Sequence, residues 1–193
     1  LNHYKQLKKE ITEDESSEAM DELEQWAEDL DIKIVHYRGL EYFMVTVLRP
    51  GVDALLNSAK QLFDEVNILT TGQKEFQEHV LDLHGIKHEF DNIYGRDEIS
   101  NSQLEPLTDA AHSVLVDDNN SYGSTGWRDK MISIGAMTID DAYKIDGLPW
   151  QERDPTYQLI ADNHFIYAKP WFGDKKDTHL LHIEMELVRL TNG

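Results

Sequence analysis

Asp117 and Asp118 close a short apolar run, Val114-Leu115-Val116, and Asn119 and Asn120 follow them. Two adjacent carboxylates backed by two amides can bind a divalent cation or move a proton. A β-branched and leucine run of this kind reads as a buried parallel strand. Open α/β sheets place their ligands beyond the carboxyl ends of such strands. The competing reading is a plain turn, because Asp and Asn also cap strand ends. A second run, Glu65-Val66-Asn67-Ile68-Leu69, ends in Thr70-Thr71-Gly72, which offers hydroxyls and backbone N–H groups to an anion. Farther on, His179, His182 and Glu186 fall on neighbouring turns of a helical pattern. That is a conceivable metal face, but a solvated helix edge has the same spacing and no fourth ligand is evident.

The elements that must position these groups can be read from periodicity. Ile32–Tyr37 and Tyr42–Val47 are strand-like around Arg38-Gly39-Leu40-Glu41, which predicts a β-hairpin. Arg49-Pro50-Gly51 punctuates the chain, and Val52, Leu55, Leu56, Ala59, Leu62 and Phe63 form one helical stripe. A helix with Phe76, Val80 and Leu83 inward follows the first strand end, and Leu107–Ala111 is read as the close of another. Helices alternating with strands predict a parallel sheet flanked by helices. Right-handed crossovers would bring the Thr70 and Asp117 strand ends to the same sheet edge. Residues 121–162, rich in Gly, Pro and Trp, read as an irregular insertion with a possible strand at Met131–Ile134. His164–Ala168 predicts a further strand, and Asp177 caps a last helix with Leu180, Ile183, Leu187 and Leu190 on one face. Near the start, Thr12-Glu13-Asp14-Glu15 is a capping-box pattern. Eleven acids and no base lie between Glu10 and Asp31, as on a solvated acidic helix face or a docking face.

The 193 residues suit one domain, 1–193, with an acidic helical insertion at 5–31, a hairpin at 32–48 and the insertion at 121–162. Apolar content of 40% with 28% charged residues is globular. No apolar run reaches membrane-spanning length and no signal-peptide core is present, so a soluble, cytoplasmic protein with no membrane partner is expected. The absence of cysteine excludes disulfides, thiol catalysis and thiolate metal sites. A net charge of −19 argues against extended nucleic-acid binding, which needs clustered Lys and Arg, and favours a divalent cation or a basic partner.

Arg49-Pro50-Gly51-Val52-Asp53-Ala54-Leu55-Leu56 resembles a segment of the haloacid-dehalogenase-like (HAD) phosphatases, in the branch that includes the small C-terminal-domain phosphatases of RNA polymerase II. The similarity runs on through Ile68-Leu69-Thr70-Thr71 and Val114–Asn119. It closes at Trp171-Phe172-Gly173-Asp174 and Asp177-Thr178-His179-Leu180. The resemblance implies an α/β, HAD-like (Rossmannoid) central parallel sheet flanked by helices. It also implies a magnesium-dependent phosphatase that works through an aspartyl-phosphate. By position, Thr70 corresponds to the phosphate-binding motif, with Thr71 and Gly72 beside it, and Asp117 and Asp118 to the acids that hold Mg2+. The usual motif lysine is missing, since no Lys lies between Asp91 and Gly126. Arg96 is the nearest base by position, and Lys130 could reach in from the insertion.

Family members place a nucleophilic aspartate and a general acid in a D-x-D motif at the end of a buried strand. Asp29-Leu30-Asp31 has the letters, but it follows an acidic helical pattern and precedes a strand instead of ending one. Leu1-Asn2-His3-Tyr4 is a better match to the residues after the motif, so the nucleophile is expected upstream of Leu1. A carboxylate can attack phosphorus only when cations offset the mutual repulsion, and the covalent intermediate divides one hard step into two easier ones. The implied substrate is a phosphoprotein, a nucleotide or a nucleic-acid end. The alternative is a catalytically impaired HAD-like scaffold that binds a basic partner. A receiver-like domain shares the acid cluster but lacks the hairpin and the Arg-Pro-Gly helix. Trp127 and Trp150 either line a substrate wall or pack the insertion's own core.

Overall fold

The computed structural model describes residues 33–36, 43–101, 106–108, 113–121, 125–171 and 174–191. The chain divides into two units, residues 1–48 and 49–193. The acidic helix expected at 12–30, with Asp29 and Asp31, lies outside the described residues.

In the first unit, strands β1 (Lys33–His36) and β2 (Phe43–Thr46) pair antiparallel with Lys33 opposite Thr46 and His36 opposite Phe43. This is the expected hairpin. Val35 is buried, and Thr46 Oγ1 donates to the Lys33 carbonyl across the pair at 3.3 Å.

The second unit starts at the Arg-Pro-Gly punctuation. Gly51 has φ 88°, a left-handed conformation that a side chain would strain, and helix α1 (Val52–Leu62) begins directly after it. Asp53 in the first turn and Lys60 in the last complement the helix dipole. Then follow β3 (Asn67–Leu69), α2 (Lys74–Leu83), a single 3-10 turn at Lys87–Glu89, β4 (Asn92–Tyr94), α3 (Arg96–Asn101), β5 (Leu115–Asp117), α4 (Thr125–Ser133), α5 (Ile139–Asp146), α6 (Trp150–His164), β6 (Phe165–Tyr167) and α7 (His179–Thr191). β3 pairs parallel with β4, and β5 parallel with β6.

Strand alternation explains how the helices divide between two faces. Ile166 and, half-buried, Val114 and Val66 join a core with Ala59 of α1 and Leu180, Ile183 and Leu187 of α7. Leu115 and, half-buried, Phe165 and Leu69 point the other way, into a core with Trp127, Met131, Ile134, Ala142, Ile145, Tyr157 and Ala161 of α4–α6. Since side chains one residue apart face opposite sides of a strand, both strand pairs form a layer with helices on each face. This is the expected α/β class.

Several local expectations are corrected. The described residues of 121–162 are largely helical rather than irregular: α4, α5 and most of α6 lie there, and Met131–Ile134 lies at the end of α4 rather than in a strand. Gly135, Gly147 and Pro149 mark helix ends, whereas Pro155 lies inside α6. Gly135 stands at φ 72° just past α4, and Ala136 N–H reaches back to Met131 O at 2.9 Å, a left-handed helix stop. Thr138 caps α5 by accepting from the Asp141 amide, and Pro149 precedes α6. Leu107 and Thr108 form a bend whose N–H groups turn to Ser133 O, while 109–111 lie outside the described residues. On α2 the buried residue is Leu81, and Leu83 is exposed. β5 is buried at Leu115 only, with Val116 at the surface. β4 was not foreseen, because three residues with Asn first carry no usable alternation.

Candidate active site

The carboxyl ends of β3 and β5 carry the groups singled out from the sequence. At the end of β3, Thr70 N–H continues the ladder by donating to Tyr94 O at 2.9 Å. Thr70 Oγ1 then accepts from Gly72 N–H at 3.1 Å, which closes a tight turn. The hydroxyl proton stays available to a further acceptor, whereas the Gly72 amide is used inside the turn. Arg96 fastens this loop from the start of α3: its backbone N–H donates to Gly72 O at 2.9 Å and its Nε to Thr71 O at 2.7 Å. The guanidinium keeps its other donors. Four of the expected phosphate-binding residues, Thr70, Thr71, Gly72 and Arg96, are therefore one hydrogen-bonded assembly.

The support beneath that loop is tight. Gly95 is buried, and its N–H donates to Glu98 Oε2 at 3.0 Å. Lys74, the first residue of α2, pairs with the other Glu98 oxygen at 3.3 Å. Burial pushes the Glu98 carboxyl up, but the hydrogen bonds from its own and the Gly95 backbone, together with Lys74, outweigh that and hold it below its ordinary value. Lys74 was not among the residues chosen from the sequence. Its position two residues beyond Gly72, at a helix start, is the signal that could have found it.

At the end of β5, Asp117 is embedded. Its backbone carbonyl accepts from Ala168 N–H at 2.8 Å and its Oδ1 from Asn119 N–H at 2.7 Å. Its Oδ2 is bound by the Lys130 ammonium, with the two side chains only 10% and 13% exposed. Asn119 Oδ1 in turn accepts from Ser121 N–H, and Asp118 is exposed. Lys130 rises from α4, whose first turn meets the other strand end: a Cβ on Gly126 would lie 3.7 Å from Thr71 Cγ2. The phosphate-loop candidates and the acid pair thus share one end of the layer.

Two surface concavities formed by described residues are centred elsewhere. One, of about 610 Å³, follows α2 and is lined by Lys74, Glu78, Asp82 and Lys87. The other, of about 410 Å³, lies beside β6 and α6 with Asn120, Gln158, Tyr167 and Arg189 on its wall. Backbone and side-chain groups converge instead at the strand ends.

Residues 3–121 match the sequence profile of the haloacid dehalogenase-like hydrolases. The chain belongs to that family. The match spans both strand ends and the acid pair. No curated protein matches the chain.

How far the hydrolase can hold a metal depends on its donor set. Magnesium asks for near-octahedral oxygen coordination. Among the described residues no group of three or more His, Asp or Glu is arranged to hold a metal. Both oxygens of Asp117 have partners, and Asp118 adds one exposed carboxylate. By themselves the described residues do not fit a magnesium ion. The helical His face has a structural use as well: His179 Nε2 accepts from Lys169 N–H at 2.9 Å, and its ring centroid is 6.3 Å from that of His182. Trp127 is 1% exposed and stacks edge-on against Tyr157 and Phe165, which is the core-packing alternative, whereas Trp150 is 65% exposed. No helix among the described residues is long and apolar enough to cross a membrane.

Proposed function

We propose that this hydrolase acts on a phosphomonoester at the carboxyl ends of β3 and β5, through an aspartyl-phosphate. The observation that carries the reading is the Thr70–Arg96 assembly, which meets the element bearing Lys130 at the Thr71–Gly126 approach. Such an arrangement offers a hydroxyl donor and a guanidinium to phosphoryl oxygens. Donors fixed before the reaction stabilise the charge that develops in transfer. Thr70 would orient the phosphoryl group, and Arg96 would balance its charge.

The attacking carboxylate would stand at a strand end beside Thr70 and Asp117. Among the described residues β3 is paired only with β4, and β5 only with β6, and a strand between them would join both pairs into one parallel sheet. Magnesium is the cation the reading calls for. Asp117 and Asp118 would be this chain's contribution to it, and the rest of the ligand set would come from the nucleophile's strand. A phosphoprotein, as for the RNA polymerase II C-terminal-domain phosphatases that the sequence resembles, is the substrate class ranked first.

The test is phosphate release from p-nitrophenyl phosphate by the full-length gene product, with and without Mg2+. Turnover that needs Mg2+ and falls about 10²-fold or more in Thr70→Val, the scale for a lost donor to a developing oxyanion, is the expected result. A folded protein with no turnover would remove the reading. The impaired scaffold that binds a basic partner would then take its place, a reading to which the fully occupied Asp117 carboxylate lends weight.

A further inference from the structure

Arg96 is tied to the Thr70 loop by its own hydrogen bonds, and a second tie runs through Glu98. We infer that Glu98 is a positioning residue for the reaction: its carboxylate clamps the starts of α2 and α3 together and so fixes Arg96 against the Thr70–Gly72 turn. Glu98 acts through Arg96 and not on the substrate. Its part in turnover rests on the proposed function. Its hold on Arg96 is structural and can be read without turnover.

Three observations support it. First, the two carboxylate oxygens are divided between two helices: Oε2 accepts from Gly95 N–H at 3.0 Å, and Oε1 pairs with the Lys74 ammonium at 3.3 Å. Gly95 directly precedes α3, so the first contact is a cap, a side chain at the third helical position returning to the amide before the helix. Lys74 opens α2, so the second contact crosses to the neighbouring element. Second, these contacts close a ring. The chain runs from Gly72 to Lys74, the ion pair crosses to Glu98, and the cap returns to Gly95. Arg96 completes the circuit through Gly72 O at 2.9 Å and Thr71 O at 2.7 Å. Third, α3 depends on such ties. It has six residues, and a helix that short does not hold its own shape in water. Gly95 is buried, so its N–H cannot turn to water when the carboxylate is removed. The two halves of the clamp differ in strength. The Lys74 and Glu98 side chains are 41% and 37% exposed, which makes their attraction weak, whereas an N–H donating to a carboxylate is a strong bond.

The consequence is a graded set of effects, tested in the full-length gene product. One readout is solvent exchange of the Arg96 Nε proton by NMR, since that proton is bonded to Thr71 O. The other is kcat and KM toward p-nitrophenyl phosphate. Glu98→Ala loses both contacts and is expected to speed the exchange, and to lower kcat, by about tenfold or more, the scale of a lost charged hydrogen bond. KM should change little, because the phosphate-binding groups are displaced and not removed. Glu98→Gln keeps an oxygen for Gly95 N–H and should recover to within about fivefold of the parent, the most that an exposed ion pair contributes. Lys74→Met should match Glu98→Gln, and the two combined should add nothing, as for two partners of one contact. Should Glu98→Ala fail to fold, that shared and non-additive effect carries the test. A carboxylate that only stabilised the fold would lower the urea midpoint and leave the Arg96 proton and the kcat of the folded protein unmoved. The inference is overturned by that result, by a Glu98→Gln as impaired as Glu98→Ala, or by additive effects of Glu98→Gln and Lys74→Met. Absence of turnover in the parent, with the Arg96 proton released in Glu98→Ala, would remove the phosphatase reading and leave the clamp standing. Parental turnover in Glu98→Ala would remove the inference and leave that reading standing.

Discussion

Gly95 is the residue on which the geometry of the Thr70 loop depends most directly. A Cβ built on it would lie 2.9 Å from both the backbone nitrogen and the Cβ of Lys74. Unbonded heavy atoms settle at about 3.5 Å or more, so Gly95→Ala must push the Lys74 backbone away by roughly half an ångström. Lys74 opens α2 and follows the Thr70–Gly72 turn by two residues, so the turn moves with it. Overpacking of this kind costs about 1–3 kcal/mol. A misplacement of an ångström at a site costs about 10²-fold in rate, so half that should cost on the order of tenfold. Gly126→Ala is the matched control. Its Cβ would meet Thr71 Cγ2 at 3.7 Å, an ordinary contact, on a residue already inside α4. There, exchange of glycine for alanine is expected to stabilise by about 0.5–1 kcal/mol. The assay is urea unfolding of both variants, with turnover measured on the same preparations. If Gly95→Ala unfolds at the parental midpoint, or if both variants shift the same way, the reasoning about this loop fails.

Two further predictions concern the helical core behind the site. Tyr157 is buried and donates to Asp146 Oδ1 at 2.6 Å, while Arg128 Nη1 holds Oδ2 at 2.9 Å. The Tyr157 hydrogen bond, opposed by burial and aided by Arg128, holds the Asp146 carboxyl below its ordinary value. Tyr157→Phe should therefore cost about 1.5 kcal/mol at neutral pH, the low end for a charged hydrogen bond because Asp146 is partly exposed. A carboxyl lowered on folding stabilises fully above its unfolded pKa of about 3.9, and the effect fades as pH falls through the folded value. The gap between Tyr157→Phe and the parent should then be constant near neutrality and shrink below about pH 4; urea midpoints that keep the same gap at low pH would contradict this. The two insertion tryptophans should separate cleanly in the same assay. Trp127→Ala should lose about 3–5 kcal/mol, and Trp150→Ala less than about 0.5 kcal/mol.

The sequence made the hairpin, α1, β3, β5, β6 and α7 legible because each carries a clean period and a definite end. Gly51 and Asp177 are examples: one must adopt a left-handed conformation, and the other caps α7 by accepting from His179 N–H at 3.1 Å. The insertion was illegible because its residues are apolar on several sides. Trp127, Met131 and Ile134 do repeat at helical spacing, but Ser133 is equally buried between them, so no polar face marks the period. Gly135, Gly147 and Pro149 look like loop signals until their places at helix ends are seen. The site was half legible for a similar reason. Thr70 and Asp117 stand at strand ends, where position can be inferred from local pattern. The pairing of Lys130 with Asp117 needs the course of α4, and that is set by the core under Trp127.

Charge distinguishes the two functional readings in a way that neither mutation nor metal does. The chain carries a net −19, yet the strand-end site brings Lys74, Arg96 and Lys130 together with Glu98 and Asp117. Two of those cations are matched by carboxylates, and among the described residues no carboxylate pairs with Arg96. The site is thus locally hospitable to an anion within a molecule that repels anions at longer range. At about 10 mM salt the screening length is roughly 30 Å, so an approaching phosphate experiences the whole acidic surface. At about 150 mM it shrinks to roughly 8 Å, and the nearby Arg96 dominates. For a phosphatase, kcat/KM toward a dianionic phosphomonoester should therefore rise several-fold over that range, because long-range repulsion weakens more than the short contacts do. A scaffold for a basic partner must behave in the opposite sense, its affinity falling as the same surface is screened. Steady-state kinetics at constant pH and Mg2+ across that salt series make the comparison. A kcat/KM that falls with added salt would show that the acidic surface attracts the substrate, and the assignment of a phosphate anion to the Thr70–Arg96 end would have to be abandoned.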